Sequence, residues 1–108
     1  MNVSNIHRSG AWFEVLQTDE LCQTAVMTLA PGRATGADAE AHESGEQVLF
    51  LVSGELIADI AGELCILKPG DIAMIPPNVK HKFTNTGTSS AVTFNVYSPP
   101  VYPRDEKG

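Results

Sequence analysis

The sequence predicts an all-β protein folded as a barrel or sandwich. Apolar residues come in short runs, turn-forming Gly, Pro, Asn and Ser punctuate them every several residues, and no window sustains the period of an amphipathic helix. At 108 residues and 43% hydrophobic, the chain fits one domain with one core and leaves no room for a second.

Each element follows from this pattern. Residues 12–16 form a short strand, and 21–29 a longer one in which Ala25, Met27 and Leu29 share a face. Pro31-Gly32 turns the chain, and 33–45, rich in Ala, Gly, Asp, Glu and Thr, is too polar for a core strand and is expected to be a loop. Residues 48–52 are the most apolar run. The two-residue links Ser53-Gly54 and Ala61-Gly62 suit tight hairpins and predict a meander of 48–52, 56–60 and 64–67. Lys68-Pro69-Gly70-Asp71 places Pro and Gly at the central positions of a type II turn, where proline presets φ and glycine accepts a positive one. A strand at 72–75 must end at Pro76-Pro77, because neither proline can donate to a ladder. In the next strand His81, Phe83 and Asn85 share one face. A polar loop at 85–90 precedes a strand at 91–97. Ser98-Pro99-Pro100 then stops pairing, and the tail 101–108 is expected to be poorly ordered.

Charge and motifs exclude several functions. Thirteen acidic against seven basic residues give a net charge of -6, which repels phosphate backbones and anionic membranes, so no nucleic-acid or membrane partner is expected. No apolar run approaches the roughly 20 residues of a membrane span, and the first residues lack a signal peptide's apolar core, so a cytoplasmic location is expected. Cys22 and Cys65 show no C-x-x-C spacing and read as buried thiols. Neither a nucleophile elbow nor a phosphate-cradling glycine loop is present.

A lone histidine on a strand is ordinarily a satisfied core or rim residue. The spacing around His81 changes that reading. Gly70, Pro76, His81 and Asn85 fall at the landmarks of G-x5-P-x-G-x2-H-x3-N, the second motif of the cupin superfamily, with Asn78 where that motif has its inner glycine. Asn is the non-glycine residue that best tolerates positive φ. The chain thus resembles the small single-domain cupins over residues 29–100, including the Leu-Lys-Pro-Gly-Asp turn, the Val-Ser-Gly-Glu segment and the closing Asn-Val-Tyr-Ser-Pro-Pro run. The closing run is also similar to cupins fused to helix-turn-helix regulators, but this chain has no room for such a half. The resemblance implies a double-stranded β-helix, or jelly-roll, barrel. An immunoglobulin-like sandwich is the structural alternative, lowered by the missing Cys/Trp/Cys arrangement.

In that family the histidine of the second motif ligates a metal, with two histidines and a glutamate from the first motif, G-x5-H-x-H-x3,4-E-x6-G. Counting back from Gly54 places Gln47 at the glutamate, Glu43 at the second histidine and Ala41 at the first; counting forward from Gly36 places His42 and Ser44 at the histidines. The registers differ by one residue, which on an unbulged strand turns every side chain to the other face. The first register is favoured from Glu46 onward, where 48–54 leaves little room for a bulge, so Gln47, Leu49 and Leu51 are expected to face inward. The preceding loop can still swing His42 into the interior.

The resemblance thus implies a degenerate ligand set of His42, Gln47 and His81 for a divalent Zn, Fe, Mn or Ni ion, with Glu43, Glu46 and Asn85 as alternative or pocket residues. Without the carboxylate, affinity should fall. Two function classes remain: a module binding a small polar molecule in the barrel, and a metal-dependent enzyme of dioxygenase, isomerase or lyase type on a small organic substrate. A homodimer is expected, with segment 1–28 in contact and Trp12 as its anchor, the barrel at 29–100 and a flexible tail at 101–108.

Overall fold

Eight strands follow a short 3-10 turn at Ile6–Arg8: β1 (Phe13–Thr18), β2 (Gln23–Leu29), β3 (Glu46–Ser53), β4 (Leu56–Ile60), β5 (Glu63–Leu67), β6 (Ile72–Ile75), β7 (His81–Thr84) and β8 (Ala91–Ser98). These come from a computed structural model that describes residues 1–8, 10–36, 41–42 and 45–103. All pairings between these strands are antiparallel. They form a five-stranded sheet, ordered β1-β2-β8-β3-β6, and a three-stranded sheet, ordered β5-β4-β7.

The sheets enclose one core. Leu29, Leu49, Leu51 and Ile75 from the larger sheet belong to the same buried cluster as Leu56, Ala58, Leu67 and Phe83 from the smaller. Burial alternates along β3, with Gln47, Leu49 and Leu51 buried and Glu46 and Phe50 exposed, so the register counted back from Gly54 describes this strand. Cross-strand pairing extends the alternation into rows. On the inner face Tyr97 and Gln47 are neighbours in one row, and Asn95 and Leu49 in the next.

The Ser53-Gly54 link differs from expectation. It makes no hairpin, because β3 pairs with β6 and β8 whereas β4 pairs with β5 and β7. Close packing explains the change of sheet: Gly54 has φ 86°, and a Cβ there would lie 2.6 Å from both Ala91 Cα and Ser90 O. A register shift against β8 between Leu51 and Ser53 precedes this corner, so the strand holds a bulge after all, downstream of Gln47. The other link does close a hairpin. Ala61 and Gly62 have φ of 55° and 83°, and β4 pairs with β5 on either side, as a two-residue turn with positive φ at both positions requires.

Around β6 the turn chemistry is as predicted. Asp71 N donates to Lys68 O at 2.9 Å with Gly70 at φ 97°, closing the type II turn. Asn78 has φ 65°, the conformation for which the second motif uses glycine. Beyond β8, the first described residues of the tail are hydrogen-bonded to β2. Gln23 Oε1 accepts from Val101 N and Tyr102 N, and its Nε2 donates to Tyr102 O, so one buried amide fastens the chain beyond the prolines.

Candidate functional site

The inner face of β3, β7 and β8 floors a cavity of about 280 Å³. At about 30 Å³ per water this is room for a single-ring molecule with a short substituent. His42, Gln47, His81, Phe83, Tyr97 and Tyr102 line it with Phe13 and Met27, while Trp12 stands at its rim with 57% of its surface exposed.

Two backbone contacts place the histidines. Asn78 N donates to His42 O at 2.8 Å, tying the segment before β3 to the β6–β7 turn. His81 begins β7, and its Nδ1 lies 3.0 Å from Val79 O. A carbonyl can only accept, so Nδ1 carries the proton and, in the neutral ring, Nε2 carries the lone pair. The two rings come together with centroids 5.0 Å apart, and His42 also packs edge-on against Tyr97 and Tyr102.

Gln47 is 4% exposed at the foot of a buried amide ladder. Its Nε2 donates to Asn95 Oδ1 at 3.0 Å, and Asn95 Nδ2 donates to Thr93 Oγ1 at 2.9 Å. The ladder uses up Gln47's nearest acceptor and fixes which way its amide points. Among the described residues, Gln47 Oε1 is the one buried side-chain polar atom without a hydrogen-bond partner. Such an atom costs about 1–3 kcal/mol, so it calls for a donor from beyond the described residues.

Tyr97 is 2% exposed, and burial pushes its phenol far above the ordinary tyrosine range, with Tyr102's charge and the hydrogen bond to its side chain adding to the shift. The hydroxyl stays protonated at any physiological pH. The pocket therefore offers aromatic walls, an imidazole lone pair at His81 and an amide oxygen at Gln47.

Of the remaining predicted residues, Glu46 and Asn85 are placed outside the pocket lining. Glu46 pairs with Ser98 and is exposed on the face opposite Gln47. Asn85 is buried, but its Nδ2 donates to Leu29 O and Ser89 O and its Oδ1 accepts from Gly87 N, so it organises the loop before β8 and is outside the pocket lining. Glu43 lies outside the described residues. Several lining residues were missed. Tyr97 was legible in principle, sharing a period-two face with Asn95, whereas Tyr102 followed two prolines in an apparent tail and gave no local signal.

The Cupin domain family matches residues 25–97. The chain belongs to this family. Solved structures agree on the fold: a protein of Bacillus halodurans superposes with TM-score 0.87 at 21% identity, covering 94% of this chain and 80% of that one. An uncharacterized Klebsiella pneumoniae protein with a double-stranded β-helix domain gives 0.78 at 22% identity over 92% and 90% of the two chains. A predicted oxalate decarboxylase from Thermotoga maritima gives 0.74 at 22%, covering 82% and 79%. No curated protein matches by sequence. The cupin barrel is thus a double-stranded β-helix.

Cupins often hold a divalent metal, and the donors present test that expectation. Among the described residues no group of three His, Cys, Asp or Glu side chains converges. His42, His81 and Gln47 supply two imidazoles and one neutral oxygen. Among the described residues this set brings no anionic ligand to a cation, and Glu43, the carboxylate next to His42, lies outside them.

Proposed function

We propose that this cupin is a binding module for a small, largely planar organic molecule that donates a hydrogen bond. The observation that carries the reading is Gln47 Oε1, a buried acceptor held in place by Asn95 and left without a donor. A hydroxyl or amino group on the ligand would satisfy it, with His81 Nε2 as a second acceptor. The rings of Phe13, Phe83, Tyr97 and Tyr102 would sandwich an apolar or aromatic body. A pocket that accepts in this way discriminates by chemistry as well as shape, since an analogue without the donor leaves Oε1 unpaired.

Phenol and anisole test this. They share a ring, but only phenol donates. Phenol should raise the thermal midpoint, anisole should raise it much less, and Gln47→Met should erase the difference. Equal stabilisation by both, undiminished in Gln47→Met, would refute the reading. The metal-dependent enzyme is the rival class, and elemental analysis of untagged protein purified without added metal separates the two. Stoichiometric iron or manganese that His81→Ala abolishes would favour the enzyme.

A further inference from the structure

A second cavity adjoins the pocket. It measures about 390 Å³ and is lined by Thr28, Leu29 and Arg33 among others, while Trp12 and Thr35 line both cavities. The two spaces share a wall. The inner one holds the Gln47 acceptor, and the outer one holds Arg33, the one Lys, Arg, Asp or Glu among the described residues that line either cavity.

The backbone that carries Arg33 is built into the fold. Asn85 O accepts from Gly32 N at 2.8 Å, Asn85 N donates to Arg33 O at 2.8 Å, and the Asn85 side chain donates to Leu29 O. Thr35 continues this pairing, its N donating to Phe83 O at 3.0 Å and its Oγ1 accepting from Phe83 N at 3.2 Å. Arg33 is thereby fastened beside β7, the strand that brings His81 and Phe83 to the pocket. Its own side chain is exposed and has no ion-pair partner among the described residues. In a chain of net charge -6 an anion is repelled by most of the surface, so this guanidinium is a local reversal of sign.

We propose that the ligand has two ends: a hydrogen-bond-donating ring in the inner cavity at Gln47 Oε1, and a carboxylate in the outer cavity held by Arg33. The proposal rests on the reading that the pocket binds a small planar molecule, and it adds the anionic group. A planar guanidinium presents paired N–H donors that match the two oxygens of a carboxylate. The inner cavity takes a ring with a short substituent, so a substituent that continues past Thr35 and Trp12 enters the outer one. The indole gives such a chain an apolar surface to lie on.

Trp12 is the single tryptophan of the chain, so its fluorescence reports on the shared wall directly. Full-length protein is titrated with para-hydroxyphenylpropionate and with its neutral amide, which keeps the ring, the hydroxyl and the linking chain. The acid should bind about fivefold tighter, the upper end for an exposed ion pair, and the ratio should shrink as sodium chloride rises. Arg33→Gln should bring the ratio to one, and Arg33→Lys, which keeps the charge without the fork, should retain part of it. Equal affinities for acid and amide, an acid preference that survives Arg33→Gln, or no saturable response to the acid would overturn the proposal. The binding reading fails separately, because Gln47→Met acts on phenol against anisole whereas Arg33→Gln acts on acid against amide. Acid and amide binding alike while phenol still outdoes anisole would strike the outer subsite alone.

Discussion

Replacing Gln47 with methionine keeps the side chain's length and deletes both amide atoms, and the structure sets two opposing effects. Loss of Oε1 removes an unpaired buried acceptor, a gain of about 1–3 kcal/mol. Loss of Nε2 takes away the donor to Asn95 Oδ1, and since Asn95 is 1% exposed, that oxygen becomes unpaired at a similar cost. The effects nearly cancel. Gln47→Met should unfold in urea within about 1 kcal/mol of wild type, which is unusual for a buried polar residue. Asn95→Leu is the contrasting control. It removes the acceptor for Nε2 and leaves the whole Gln47 amide unpaired, so it should cost about 2 kcal/mol or more. Urea curves followed by far-ultraviolet circular dichroism, at equal slopes, give both numbers. A loss above about 3 kcal/mol for Gln47→Met would mean that Oε1 is satisfied in solution, removing the main support for a donor-bearing ligand.

Three further outcomes follow from local geometry. Tyr97's pKa is raised on folding, so the folded state holds the proton longer; stability from this group is intact below about pH 10 and falls above it by up to about 1.4 kcal/mol per pH unit, and Tyr97→Phe should flatten that alkaline slope in urea midpoints. Ala61 sits at φ 55° beside Gly62, so Ala61→Asn should stabilise by about 0.5–1 kcal/mol and raise the thermal midpoint by a few degrees; a lower midpoint would sink the turn assignment. Gly54→Ala meets Ala91 and Ser90 backbone atoms at 2.6 Å with φ 86°, and should cost more than about 3 kcal/mol; a loss below 1 kcal/mol would mean the corner is loosely packed.

Much of the fold was legible because its signals are local. The Pro69-Gly70 turn, the stop at Pro76-Pro77, the Ala61-Gly62 hairpin and the positive φ of Asn78 all follow from backbone preferences of the residues themselves. The Ser53-Gly54 corner was not legible, because a glycine kept for positive φ and one kept for close approach look alike in sequence, and only the nearness of Ala91 separates them. Within the site, alternation carried Gln47 to the inner face and the motif spacing brought His81 to the pocket. The rest depends on contacts distant in sequence. Tyr102 enters the lining through Gln23, 79 residues away, and Gln47's orientation is set by Asn95, 48 residues away.

The pocket and the apolar outer face are two expressions of one register. Along β3, Gln47 and Leu49 point into the barrel while Val48 and Phe50 point out; along β8, Asn95 and Tyr97 point in while Phe94 and Val96 point out. Strands apolar only toward a core read as alternating, yet residues 48–52 are continuously apolar, the composition of a strand buried on both faces. The barrel accounts for one of those faces. A one-residue slip of β3 would exchange the two sets, exposing Gln47 and driving Phe50 into the cavity. Pairing with both β6 and β8 holds β3 against that slip, so the same ladders that turn Gln47 inward also keep Val48 and Phe50 on the outer face.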